Sequence, residues 1–197
     1  TGSGSTHTLT GGILAWDKGN NFTGQSTNTI TLQANTTLTI VANPDGNSIT
    51  DSKQQYSTGS GKANASFTLT TGSIVASGGS NEINLNAGSV LTLDSIITGD
   101  SASASATANY SSQNDTNNLS QSKTTITFKG SSGTSTINGN IKTANGVATI
   151  TTESSATGVI NGDITSSGGM NHIKAVENTT LTLTGKIESS SSGKNVI

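Results

Sequence analysis

The chain has no cysteine among its 197 residues. Disulfides are therefore excluded, and with His7 and His172 as the only histidines the composition argues against a zinc site. A cysteine-free chain suits the cytosol. It equally suits an extracellular protein that avoids disulfides because it crosses membranes unfolded. Aromatic residues make up 3% and hydrophobic residues 29%, well below ordinary globular usage. That shortage argues against a thick globular core and leaves room for a thin core repeated along an axis. Charged residues are only 10%, so the high net charge of a disordered chain is missing too. The net charge is −2 with no basic stripe to neutralise phosphates, which argues against a nucleic-acid partner. No run of about 18 apolar residues is present that would span a membrane as a helix. Residue 1 opens in mid-pattern without a signal-peptide pattern, as expected of an excised or mature fragment.

What fills the chain is Ser, Thr, Asn and Gly, arranged with a period. In "STINGNIKT" (135–143), "GVINGDITS" (158–166) and "LTLTGKIES" (181–189), three columns recur every 23 residues. They are Ile137, Ile160 and Leu183; Gly139, Gly162 and Gly185; and Ile141, Ile164 and Ile187. Noisier copies lie at 28–40 and 81–99, with partial ones at 9–14 and 67–75. The template is roughly N-x-I-x-L-x5-L-x-L-x-G-x-I. On this reading Asn195-Val196-Ile197 opens a further repeat, and more coils are expected beyond it.

Within each copy apolar and polar residues alternate, as in Thr180-Leu181-Thr182-Leu183-Thr184, which is the period of a half-buried strand. Thr, Ile and Val favour strands, and no stretch has a helical apolar period. A unit of about 23 residues with three short strands and three turns predicts an all-β fold, a parallel β-helix or β-solenoid. About seven coils, some incomplete, would make a rod near 30 Å long at the ~4.8 Å strand spacing. Parallel crossovers prefer the right hand. The Gly column is expected at one corner, and Asn28, Asn81, Asn171 and Asn195 at a second. The register also predicts stacked ion pairs, Lys129 with Glu153 and Asp163 with Lys186.

The repeat is interrupted. Residues 42–66 hold the only proline, Pro44, and the turn Asp45-Gly46; residues 99–122 are polar and low in complexity. Both read as loop insertions in a single β-helix segment covering 1–197. A third irregular stretch runs over 15–26. Trp16, Phe22, Tyr56 and Tyr110 all fall in these irregular segments and are candidate contact residues for a sugar or protein. The alternative is that the rings fold back onto the rod.

Reaction chemistry has little to work with. His7 and His172 read as solvated residues on outward strand positions, with no defined nucleophile beside them. Asp94, Glu153, Asp163, Glu177 and Glu188 do not gather in one column; Asp94 is expected to share its column with Asn138, Asn161 and Thr184. Neither a phosphate loop nor a calcium nonapeptide is present. The N-x-[ST] triplets at Asn35 and Asn178 are expected by chance in so polar a chain. An outward Thr array of the kind that binds ice is expected to be broken by Asn, Lys, Glu and Ala. The reading is of a non-enzyme with no cofactor and no metal.

The phrases "INGNIKTANG", "INGDITSSGGMNHI" and "LTLTGKIESSSSGKNVI" resemble the passenger repeats of vacuolating-cytotoxin-like autotransporters of Gram-negative bacteria. The resemblance is strongest over 123–197 and fair over 67–97. It implies a right-handed parallel β-helix, exported by type V secretion and displayed at the cell surface by a C-terminal outer-membrane barrel. The roles it implies are host-cell adhesion, colonisation and virulence, with a host-cell surface protein or glycan as partner. Pore formation is not implied, because the apolar, small-residue-rich N-terminal segment it needs is absent. The readings left open are an adhesive stalk, a pure spacer or filament that self-associates through its coil ends, and a carbohydrate-active β-helix enzyme.

Overall fold

The computed structural model describes residues 4–16, 26–43, 47–58, 61–69, 71–99, 106–108, 122–153 and 155–197. For residues 16, 47–58, 61–69 and 106–108 the backbone alone is described. Every regular element among them is a strand. In chain order these are β1 (Thr6–Thr10), β2 (Ile13–Trp16), β3 (Thr27–Leu32), β4 (Thr37–Val41), β5 (Asn47–Thr58), β6 (Gly61–Leu69), β7 (Ile74–Ser77), β8 (Ser80–Leu85), β9 (Val90–Thr98) and β10 (Ala106–Ala108). They continue as β11 (Lys123–Phe128), β12 (Thr134–Thr143), β13 (Val147–Thr152), β14 (Thr157–Asn161), β15 (Ile164–Ser166), β16 (Met170–Lys174), β17 (Thr180–Leu183), β18 (Ile187–Ser189) and β19 (Lys194–Val196).

Two parallel sheets carry the fold. One follows the order β1-β4-β9-β12-β14-β17, with β15, β18, β7 and β2 attached through β9 and β12; the other runs β19-β16-β13-β11-β8-β3. Each strand pairs with its counterpart one repeat later, so β13, β14 and β15 stack on β16, β17 and β18. This is the pattern a β-solenoid requires. The spacing of 23 is visible in the contacts themselves, as between Asn138 and Asn161. It stretches to 24 in places, as between Asn171 and Asn195.

The alternation seen in the sequence places the core. In β13 the burial runs intermediate, buried, intermediate, buried along Val-Ala-Thr-Ile-Thr-Thr, so Ala148, Ile150 and Thr152 face in. Stacking then makes columns of one residue type. Ile30, Ile83, Ile126, Ile150 and Ile173 are successive partners in one sheet. Ile13, Ile74, Ile96, Ile141, Ile164 and Ile187 are successive partners in the other. β-Branched side chains suit such columns because their preferred rotamer is narrow and repeats unchanged at each step. Full burial of each contributes roughly 1.5–3 kcal/mol, which no single repeat could obtain alone. The column ends differ: Ile187 is 36% exposed, because only one neighbouring strand covers it.

Several expectations change here. The stretch 42–66 is not irregular: β5 and β6 form an antiparallel hairpin, and β10, from the second insertion, adds to it. The two insertions thus share one three-stranded sheet. The supposed repeat copy at 67–75 is split between antiparallel β6 and parallel β7. The Gly column does lie at a corner, with Gly162 in the bend between β14 and β15 and Gly185 in the bend between β17 and β18, but neither glycine has a left-handed φ. A Cβ on Gly162 would lie 2.2 Å from the Gly139 carbonyl oxygen, and one on Gly185 would lie 2.2 Å from that of Gly162. These glycines are there for close approach between one corner and the next in the stack. Left-handed residues two before a strand instead include Gly4, Asn35, Gly88, Ser155 and Asn178.

The Asn column is also placed differently. Asn81 and Asn171 are buried inside strands, one residue past the strand start; Asn81 Oδ1 accepts from Asn28 Nδ2 at 3.1 Å on the stacked strand, and Asn171 reaches back across the corner. Asn171 Nδ2 donates to the Thr165 carbonyl at 3.0 Å and to Asn195 Oδ1 at 2.9 Å; Asn195 Nδ2 donates to the Glu188 carbonyl at 2.8 Å.

Candidate functional surface

The four aromatic contact residues from the sequence are not brought together among the described residues. Trp16 ends β2 opposite Ser77, and Tyr56 lies in β5 opposite Ala63. Phe22 and Tyr110 are outside the described residues. What the structure does describe is the outer surface of the stacked sheets.

On the longer sheet two neighbouring columns of outward positions are uncharged. Thr6, Thr37, Val90, Thr136, Val159 and Thr182 are successive partners. Beside them run Thr8, Thr39, Thr92, Asn138, Asn161 and Thr184. The Lys and Glu interruptions expected of the Thr array lie outside these two columns, at Lys142 and Glu188 on β12 and β18 of the same sheet and at Glu82, Lys123 and Lys174 on the other sheet. The second column is knitted by its own side chains. Asn138 Nδ2 donates to Thr92 Oγ1 (3.2 Å), Asn161 Nδ2 to Asn138 Oδ1 (2.9 Å) and Thr184 Oγ1 to Asn161 Oδ1 (3.1 Å). Asp94 is not in this column. Thr92 holds that place, and Asp94 sits opposite the register shift between Asn138 and Asn140.

The predicted charge register is half met. Lys129 Nζ lies 3.4 Å from Glu153 Oε1 on the adjacent strand end. Asp163 and Lys186 are also neighbours, but the contact is different. The Lys186 backbone N–H donates to Asp163 Oδ1 at 2.9 Å, while the ammonium is 3.7 Å from Glu188 Oε1. The carboxylate finds a fixed backbone donor closer than a flexible ammonium.

His172 faces out from β16, exposed, opposite Thr149 and Val196. His7 does not hold an outward position. It is in register with Leu38 and Leu91, the core column, and is exposed because β1 has one neighbour only; its ring nitrogen lies 2.8 Å from Ser5 Oγ. Among the described residues no three His, Asp or Glu side chains gather as a metal cluster. Among the described residues there is no helix long and apolar enough to cross a membrane.

Where β12, β15 and β18 reach their corner, an open groove of about 580 Å³ is lined by Lys142, Thr165 and Glu188, with Thr143 and Ala144 after the first and pairs of serines after the other two. Its walls are hydroxyls and backbone with one cation and one anion, and no nucleophile is paired with a base there. A buried polar seam lies behind it. Thr98 Oγ1 donates to Thr124 Oγ1 (2.7 Å) and Thr143 Oγ1 to Asn171 Oδ1 (2.6 Å), both between the two sheets. The seam satisfies polar groups that the core could not otherwise hold, and it fixes which strand faces which.

No family model, curated protein or solved structure matches the chain.

Proposed function

We propose that the chain is a segment of a right-handed parallel β-helix, about 23 residues and three strands per coil, serving as a non-enzymatic stalk on a bacterial surface. It presents the joined insertions for adhesion to a host-cell surface protein or glycan. The observation that carries this reading is the contrast between two parts. The parallel sheets stack strand on strand along the repeat, and the two insertions at 42–66 and 99–122, separated in sequence by rod strands, meet in one antiparallel sheet. Insertions on a regular scaffold are free to vary and often bind. The passenger-like phrases over 123–197 support the surface location, and the absence of cysteine supports export. A plain spacer is the second reading, favoured by the uncharged Thr and Val columns, which offer contact area but no specific pocket.

The test is binding of the labelled chain to epithelial cells, beside two variants. One replaces 100–121 by a short Gly-Ser turn; the other replaces 45–70. Circular dichroism establishes that each keeps its strand content. Binding by the intact chain that both variants lose assigns adhesion to the shared sheet. Equal absence of binding in all three makes the segment a spacer. Release of sugar products from host or bacterial glycans would instead make it an enzyme.

A further inference from the structure

The chain contains three Asn-Gly steps, Asn138-Gly139, Asn145-Gly146 and Asn161-Gly162. Such steps carry their own chemistry. With no side chain on the following residue, its nitrogen can attack the asparagine Cγ. A C–N bond forms, the bond to Nδ2 breaks, and ammonia leaves with the proton from the glycine nitrogen. Water then opens the resulting succinimide at either carbonyl. One opening gives aspartate and the other isoaspartate, in which the main chain runs through the side-chain carbon.

The fold puts these three steps in two environments. Asn138 and Asn161 belong to strands β12 and β14, where their amides are tied into the outer column on both sides. Donation from each Nδ2, and acceptance at each Oδ1, holds Cγ in place along the stack. Asn145 is exposed in the bend between β12 and β13. Among the described residues neither its side-chain amide nor the Gly146 N–H has a hydrogen-bond partner. Gly146 is in the left-handed half of backbone space at φ 124°, already a turning point of the chain. The residues stacked on either side are bare: a Cβ on Gly99 would collide with the Asn145 carbonyl oxygen, and one on Gly168 would lie 3.1 Å from Asn145 Oδ1.

We propose that Asn145-Gly146 is a self-modification site, at which the native chain converts to aspartyl and isoaspartyl forms, while the two Asn-Gly steps of the outer column are protected by the fold. The isoaspartyl form adds one carbon to the backbone at a corner whose neighbour, Gly99, has no room for one. The modified chain is then loosened at the step from β12 to β13.

The test uses the whole chain, incubated at mildly alkaline pH, with parallel incubation in denaturing urea. Peptide mass mapping locates each conversion of amide to acid, and enzymatic methylation of isoaspartyl groups counts the rearranged product. In the native chain, conversion is expected at Asn145 ahead of the other two; in urea all three convert. Asn145→Gln, shown by its melting curve to fold, is expected to lose the native isoaspartyl signal. Native conversion at Asn138 or Asn161 as fast as at Asn145 overturns the proposal. So does an Asn145 that stays intact over a time in which the denatured chain converts.

Discussion

The backbone N–H of Lys186 donates to Oδ1 of Asp163 at 2.9 Å, and the backbone N–H of Asp163 donates in the same way to Oδ1 of Asn140. The column therefore asks for a short side-chain acceptor and not for a charge. Asn140 fills the role without one. Asp163→Asn is expected to leave stability within about 0.5 kcal/mol, as for a conservative surface change. Asp163→Ala removes the acceptor and is expected to lose about 0.5–1.5 kcal/mol. Urea unfolding of both variants checks this. An Asn variant as weakened as the Ala variant would show that the carboxylate charge matters.

Lys129 and Glu153 are a true ion pair, but a wet one. Their side chains are 33% and 53% exposed. A double-mutant cycle with Lys129→Ala and Glu153→Ala is expected to give a coupling of about 0.2–1 kcal/mol. The coupling should shrink as salt is raised, because exposed charges are screened over a Debye length of about 10 Å at 0.1 M salt. A coupling unchanged at high salt would contradict an exposed pair.

These two contacts show what the sequence could and could not tell. The isoleucine columns were legible because alternation fixes which side chains face in, and the 23-residue spacing fixes which of them meet. Lys129 and Glu153 were legible by the same counting. Asp163 and Lys186 were placed together correctly, but counting cannot say whether a carboxylate will choose an ammonium or a backbone N–H. The left-handed corner was missed because Asn35, Gly88, Ser155 and Asn178 share a tolerance for positive φ and no other chemistry. The one visible signal was Asn-Thr-Thr at both 35–37 and 178–180. The hairpin of β5 and β6 was missed because its sequence is polar and its cross-strand partners lie outside the repeat.

Gly162 tests the reason for its column. Alanine there needs no unusual φ, so a turn-forming role would tolerate it. Close approach would not, since the added Cβ falls 2.2 Å from the Gly139 carbonyl oxygen. Gly162→Ala is expected to destabilise by about 1–3 kcal/mol, as overpacking does. Gly168→Ala meets the Ala144 carbonyl at 2.4 Å and should behave similarly. A Gly162→Ala chain that melts with the parent would return the column to a turn.

Phe128 and Gly158 make a matched pair of sizes across the core. Phe128 follows Leu32 and Leu85 in register and is followed by Thr152. Gly158 lies between Ser135 and Leu181 in the facing sheet. The phenyl ring occupies the space a side chain at 158 would need, since a Cβ there would be 2.7 Å from Phe128 Cγ. One repeat later, Thr152 takes less room and Leu181 takes more. Phe128 is fully buried, so Phe128→Ala is expected to lose about 3–5 kcal/mol. Gly158→Ala alone forces the ring aside and is expected to lose about 1–3 kcal/mol. Combined with Phe128→Leu, the added methyl has room. The double variant should then be more stable than the sum of the two single losses predicts, by about 0.5 kcal/mol or more. Additive losses, measured by denaturant unfolding, would mean that the ring and the glycine do not share one space.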